Sequence, residues 1–260
     1  MRQTRRHIEA AGGGGFSGPP FEDDHSIILD GSSEVVLVDH HADFDFEYDT
    51  PFSVSCWAKS TNWGSKGMVA KMNYASPRGW SLGFATGQFY FFLVNSYTST
   101  TTGAYVAGYV NDGAWRNFIV TYDGSSVYTG MAMYTNGSAG TLSNYPANSL
   151  GSNTIKTSDQ IHIGSWWGSS THYGWNGNLN DVAIWDKELS AAEAAEIYNS
   201  GDPADLMTHS AASNLVGYWT FDDPADDATH SSGTIVDRTG NGHDATPHNT
   251  EAADIEEDVP

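Results

Sequence analysis

From Asp23 onward the chain alternates short apolar or half-apolar runs with turn signals: "SIILDG", "SEVVLV", "FSVSCWAK", "GMVAKM", "WSLGFATG", "QFYFFLV", "AYVAGYV", "WRNFIVTYDG", "VYTGMAMYTNG", "QIHIGSW" and "GNLNDVAIW". Runs of this length, rich in β-branched and aromatic residues and closed by Gly, Asn, Asp or Ser, predict strands. Their regular recurrence predicts an all-β sandwich or jelly roll rather than a parallel α/β sheet. In "FSVSCWAK", Phe52, Val54, Cys56 and Ala58 alternate with Ser53, Ser55, Trp57 and Lys59, so each set belongs to its own face. Asn136-Gly137 signals a type I′ hairpin turn, whose two central residues both need positive φ.

One helix interrupts the β pattern, in "ELSAAEAAEIYNSG". Ser190 is a natural N-cap and Glu193, three residues on, completes a capping box. Leu189 serves as staple, the alanines favour helix, and Gly201 is expected to close the far end in a left-handed conformation. Ala194, Ile197 and Tyr198 then share the face that packs on the sandwich.

"DFDFEYD" places Asp43, Asp45, Glu47 and Asp49 on alternate positions, with Phe44, Phe46 and Tyr48 between them. A strand here would line the acids along one face and bury the aromatics on the other. Two readings fit. Glycoside hydrolysis needs two carboxylates roughly 5–9 Å apart, and residues two apart on a strand stand about 6.6 Å from each other. Alternatively the acids are the solvated edge of an acidic protein, and Thr50-Pro51 ends the segment.

Composition narrows the partners. The 260 residues carry 32 acidic and 11 basic side chains, a formal charge of −21, which disfavours nonspecific contact with nucleic acid or an anionic membrane. Such acidity also fits a saline environment. Cys56 is the one cysteine, so no intrachain disulfide forms, and its place in a strand marks it as a buried, inert residue. No apolar run approaches the roughly 20 residues needed to cross a bilayer. The start, "MRQTRRHIEAAGGGGFSGPP", has Gly and Pro where a secretory leader needs an apolar stretch. Arg2, Arg5 and Arg6 are three of the six arginines, and the Gly run behind them reads either as a disordered tail or as an arm that orders against an acidic partner.

Catalytic patterns are missing from the sequence. The ten histidines never fall into His-Glu-x-x-His or Cys/His zinc spacing, no Gly-x-Ser-x-Gly elbow occurs, and the Gly-rich stretches lack a phosphate-loop Lys-Ser/Thr. "GSWWGSSTHYGWNG" clusters Trp166, Trp167, Tyr173 and Trp175 among small polar residues. This is the composition of a glycan-stacking or docking patch, and equally of rings tucked beneath a loop.

"YGWNGNLNDVAIWDKELSAAEAAEIYNSG" resembles the closing motif of the laminin-G-like, concanavalin A-like jelly rolls. "IILDGSSEVVLV" resembles the first hairpin of that family, "PFSVSCWAK" its Phe-Ser/Thr-x-x-x-Trp strand, and "WRNFIVTYDG" its Trp-His-x-x-Val-x-Tyr-Asp-Gly strand. The resemblance covers about residues 25 to 201 and implies the fold; it leaves function open, because this fold hosts lectins, adhesion modules, pentraxin-like proteins and hydrolases. On that template "DFDFEYD" falls in the polar loop before the Phe-Ser strand, which argues against a glycosidase ladder. Family members commonly hold one calcium ion. Asp30 and Asp181 match acidic family positions, with turn capping through Asx hydrogen bonds as the alternative.

After the helix come "NLVGYWTFDD" and "TIVDRTGNGHDATPHNTEAADIEEDVP", motifs that usually open such domains. Fewer than 50 residues follow Leu215, too few for another sandwich, so this strand is expected to join the first one. The expected organisation is a basic arm (1–22), a jelly roll (23–202) and a C-terminal extension (203–260). The arrangement resembles structural proteins of tailed phages of marine bacteria. That resemblance implies a non-enzymatic virion protein, a capsid decoration or tail-associated adhesion module assembled in the host cytoplasm. Its expected partners are other virion proteins, further copies of itself on the particle, and host surface polysaccharide, with no nucleic acid and no membrane insertion. The alternatives are a carbohydrate-binding lectin and, less favoured, a glycoside hydrolase.

Overall fold

The strands form where the alternation places them. In chain order they are β1 (Ser26–Asp30), β2 (Val35–Val38), β3 (Phe52–Lys59), β4 (Lys66–Met72), β5 (Gly79–Ala85) and β6 (Gln88–Ser96). β7 (Thr100–Val106), β8 (Arg116–Tyr122), β9 (Met131–Thr135), β10 (Ser138–Ala139), β11 (Ser143–Asn144) and β12 (Ile161–Ile163) follow. The last four are β13 (Asn176–Trp185), β14 (Leu215–Trp219), β15 (Ala245–His248) and β16 (Ile255–Glu256), with helix α1 (Ala191–Tyr198) between β13 and β14. This computed structural model describes residues 23–72, 77–96, 100–109, 112–144, 150–166, 173–223, 225–229 and 232–260. Arg2, Arg5 and Arg6 lie outside the described residues.

Two antiparallel sheets of eight strands make a jelly-roll sandwich. One has the order β10-β9-β8-β3-β13-β1-β16, with β14 also on β13; the other has β11-β7-β6-β5-β4-β12-β2-β15. Phe52, Val54, Cys56 and Ala58 of β3 face Phe89, Phe91 and Leu93 of β6 in the core between the sheets. Burial there pushes the Cys56 thiol up, away from the reactive thiolate. Asn136 and Gly137 take φ of 51° and 70°, and Thr135 pairs with Ser138 across them, as the type I′ signal requires.

Helix α1 starts on the expected capping box: Ser190 Oγ accepts from the Glu193 amide and Glu193 from the Ser190 amide. Its end differs from expectation. Asn199 (φ 46°) is the left-handed cap, Ser200 (φ 63°) stays left-handed, and Gly201 (φ 112°) follows. Asn tolerates this region because its short amide bonds locally, so the chain turns two residues before the glycine. Ala194 and Ile197 pack with Leu189, Trp185 and Tyr218 on the outer face of the first sheet, and Tyr198 lies 5.8 Å from Trp57.

The C-terminal extension completes both sheets. Along one edge of β13, β1 pairs with the first half (Ile27 opposite Leu179) and β14 with the second (Trp219 opposite Val182), while β3 runs along the other edge. β1 and β14 therefore behave as one strand broken in the middle. β15 pairs with β2 and β16 with β1. Trp219 and Phe221 are buried in the central core, so the extension is part of the sandwich.

Candidate functional site

Where β1 and β3 end and β13 begins, the surface opens into a cleft of about 460 Å³, bounded by Asp30, Glu34, Lys59, Asn176, Asn178 and Asp254. Tight backbone approach shapes it. A Cβ on Gly31 (φ 79°) would meet the Asn176 Cβ at 2.7 Å, and one on Gly177 would come within 2.2 Å of the Lys59 carbonyl. Only glycine allows the β1–β2 turn and β13 to come this close.

Hydrogen bonds hold the lining in place. Ser32 donates from its amide and hydroxyl to the Asp30 carboxylate, and the Asp30 amide donates to Glu34 Oε2 at 2.6 Å. Asn176 Nδ2 donates to the Asp30 carbonyl at 2.5 Å, and Asn178 Nδ2 donates to Ser26 Oγ and Glu256 Oε1. Partial burial, with the Asp30 and Asp254 charges adding, raises the Glu34 carboxyl to about 6. Near that pH it offers a donor as often as an acceptor. On the far side the Lys59 ammonium pairs with Asp258 and lies 5.4 Å from the half-buried Trp115 ring, whose Nε1 donates to Asp258 at 3.1 Å. Burial pulls Asp258 upward, but the bonds from Lys59 and Trp115 leave it below the usual carboxylate range.

The aromatic loop is placed differently. Trp166 is 9 % exposed and stacks on Tyr173 at 5.5 Å, its indole filling the space that Gly67 and Gly83 leave on the second sheet. Trp175 is fully buried beside Trp63 in the central core. Tyr173 is half-buried, and Trp167 lies outside the described residues. Trp166 and Trp175 thus have packing roles.

Asp30 and Asp181 do not meet. Asp30 faces Asn176, five residues before Asp181 in β13, which at about 3.3 Å per residue sets them about 16 Å apart. One calcium ion cannot take both, given Ca–O bonds of about 2.4 Å. Asp30 caps its own turn through Ser32, the Asx alternative. Asp181 occupies a bulge at φ 47°, where Tyr218 Oη donates to Oδ1 at 2.6 Å and the buried Oδ2 makes no hydrogen bond. Burial pushes its carboxyl well up, and Asp23 and Asp222 add repulsion.

The alternating acids lie on an outer loop rather than on a strand. Ala42–Phe44 forms a short 3₁₀ segment, Phe44 and Phe46 are buried, and the acids take separate partners. Asp45 accepts from the buried Lys71 ammonium at 3.0 Å, and Glu47 accepts from Thr154 Oγ1 at 2.8 Å. Asp43 meets His41 and His243; among the described residues these three form the one group whose metal-ligating atoms all lie within 4.8 Å of one another.

The cleft residues Glu34, Lys59, Asn176, Asn178 and Asp254 were not legible as a set. They come from four places in the chain, and only Asn176 and Asn178 are joined by a short spacing.

A family model described as the concanavalin A-like lectin/glucanases superfamily matches residues 30–195. Among solved structures, a putative carbohydrate binding protein from Bacteroides ovatus superposes with a TM-score of 0.62 at 14 % identity, covering 92 % of this chain. The chain spans 61 % of that protein's length. A heptameric pentraxin from Limulus polyphemus gives a TM-score of 0.44 at 17 % identity over 65 % of this chain and 83 % of its own. Domains LG4-5 of the mouse laminin α1 chain give 0.47 at 11 % identity, over 68 % and 45 %. No curated protein sequence matches the chain.

Proposed function

We propose that this chain, which belongs to the concanavalin A-like lectin/glucanases superfamily, is a non-enzymatic glycan-binding module whose sugar site is the cleft between Asp30, Glu34 and Asn176. The observation that carries the reading is the chemistry of that cleft. Sugar hydroxyls both donate and accept, and the lining brings carboxylates, amides and a lysine together around one opening. Its volume of about 460 Å³ falls within the ~300–1,000 Å³ usual for small-ligand sites. The likeness to a protein described as carbohydrate-binding supports the same class of ligand.

A hydrolase using Asp43, Asp45 and Glu47 is disfavoured, because Asp45 serves the Lys71 ammonium and Glu47 serves Thr154. We further propose, on the resemblance of the sequence to structural proteins of tailed phages of marine bacteria, that the module sits on a phage particle as a capsid decoration or tail-associated adhesion unit present in several copies, with the basic, Gly-rich residues 1–22 as its anchor.

The test is a glycan array with wild-type protein, Glu34→Gln and Thr61→Trp, the last filling the cleft from an exposed position. Binding to a defined glycan class that falls at least tenfold in both variants, at unchanged melting temperature, is the expected result. Binding that survives Thr61→Trp, or none to any glycan, overturns the assignment. Release of reducing ends from a β-glucan would overturn the non-enzymatic part. Incorporation of the full chain, but not of a chain lacking residues 1–22, into particles tests the virion setting.

A further inference from the structure

We propose that His41, Asp43 and His243 form a zinc-binding site that ties the C-terminal extension to the loop before β3. His243 Nε2 lies 3.1 Å from Asp43 Oδ2, and His41 Nδ1 lies 3.2 Å from the same oxygen. A tetrahedral zinc ion with bonds of about 2.0–2.1 Å sets its ligand atoms roughly 3.3 Å apart. Two edges of that tetrahedron are therefore present already. The third, between the two imidazole nitrogens, lies within 4.8 Å and closes by a small rotation of the exposed His41 ring.

The surroundings favour an ion over a chance contact. The His243 ring is buried against Phe44, with centroids 4.7 Å apart, and lies 4.6 Å from the His41 ring. Its backbone is fixed at both ends: the His243 amide donates to Asp237 Oδ2 at 3.1 Å, and its carbonyl accepts from Trp219 Nε1 at 3.0 Å. Asp43 and His41 are about half exposed, so an ion reaches the site from solvent and water supplies the fourth ligand. His41 Nδ1 also accepts from the Asp43 amide at 3.3 Å, a long contact that a bound ion replaces. Two imidazoles and one carboxylate suit a borderline ion such as zinc; calcium and magnesium take oxygen sets. The formal charge of −21 draws a dication to the surface. The ligands come from positions two hundred residues apart, so the bound ion clamps the segment leading into β15 onto the main body.

The experiment is calorimetric titration of the full, untagged chain with zinc chloride, alongside His41→Ala, Asp43→Asn and, as control, His40→Ala. His40 faces Lys71 and Asp45 instead of the site. The expected result is one tight site per chain in the wild type and in His40→Ala, weakened at least ~10-fold in the other two, because losing a ligand costs no less than losing an outer-shell partner. Cobalt substitution should give the intense visible bands of a tetrahedral ion, and hydrogen exchange at 245–248 should slow when zinc is added. No saturable binding, binding unchanged in His41→Ala and Asp43→Asn, or six-coordinate cobalt spectra would each overturn the site. Binding without slowed exchange at 245–248 would overturn the clamp.

Discussion

Asp222 Oδ1 accepts the backbone N–H of His25 at 2.6 Å and that of Asp24 at 2.8 Å, so a side chain just beyond β14 holds the backbone that enters β1. The two half-strands share the edge of β13, and this carboxylate bridges the gap between them. Asp222→Ala removes the acceptor for two amides and should cost about 1–3 kcal/mol, whereas Asp222→Asn keeps Oδ1 and should cost less. Urea melts of the two variants check this; equal losses would refute the bridging role.

Asp181 gives a pH signature. Its folded-state carboxyl is raised by burial, so the native state holds the proton more tightly than the unfolded chain. Its stabilising contribution is therefore complete below the unfolded value, near pH 4, and is lost as pH rises through the raised folded value. Asp181→Asn keeps an acceptor for Tyr218 and cannot ionise. Its melting temperature should exceed that of the wild type increasingly as pH rises from 5 to 8. Parallel melting curves across that range would show that Asp181 is charged in the fold.

Asp45 is predicted to matter for stability. Lys71 is 2 % exposed, and its ammonium bonds Asp45 and the Thr157 carbonyl. Burial pulls the lysine downward, while Asp45 holds the charge. Asp45→Asn should destabilise by ~2 kcal/mol, because it leaves a buried cation short of its counterion. Adding Lys71→Met should restore most of the loss, and a double mutant as unstable as the single one would show that the pair is not coupled.

Trp219 anchors the extension. It is fully buried, 6.4 Å from Phe44, and donates to the His243 carbonyl. Trp219→Ala should cost ~3–5 kcal/mol and should expose the β13 edge, seen as faster hydrogen exchange at 182–185. Exchange unchanged at those amides would separate the ring from the pairing.

Much of the fold was legible because its signals are local. The alternation in β3, the Asn136-Gly137 turn and the Ser190 capping box each act over a few residues, and each appears as expected. Where two residues compete for one conformation, locality was not enough: Gly201 carried the signal, but Asn199 makes the turn. The loop at 43–49 shows a related ambiguity, since Phe44 and Phe46 are buried alternately without any strand pairing to impose it. The cleft and the His41–Asp43–His243 group escaped sequence reading for a different reason. Asp254 and His243 reach their neighbours only once the extension has folded back over both sheets.

The divided strand on β13 also sets a timetable for synthesis. As the chain leaves the ribosome, β13 emerges with β1 and β3 to receive it, but half of one edge stays open until Leu215–Trp219 follows. Until then the nascent sandwich lacks Trp219 and presents an unfilled backbone edge, the kind of surface that pairs with other chains. Final closure therefore falls to a segment made after β1, β3 and β13, and a chain stalled between β13 and β14 would be released in its stickiest state.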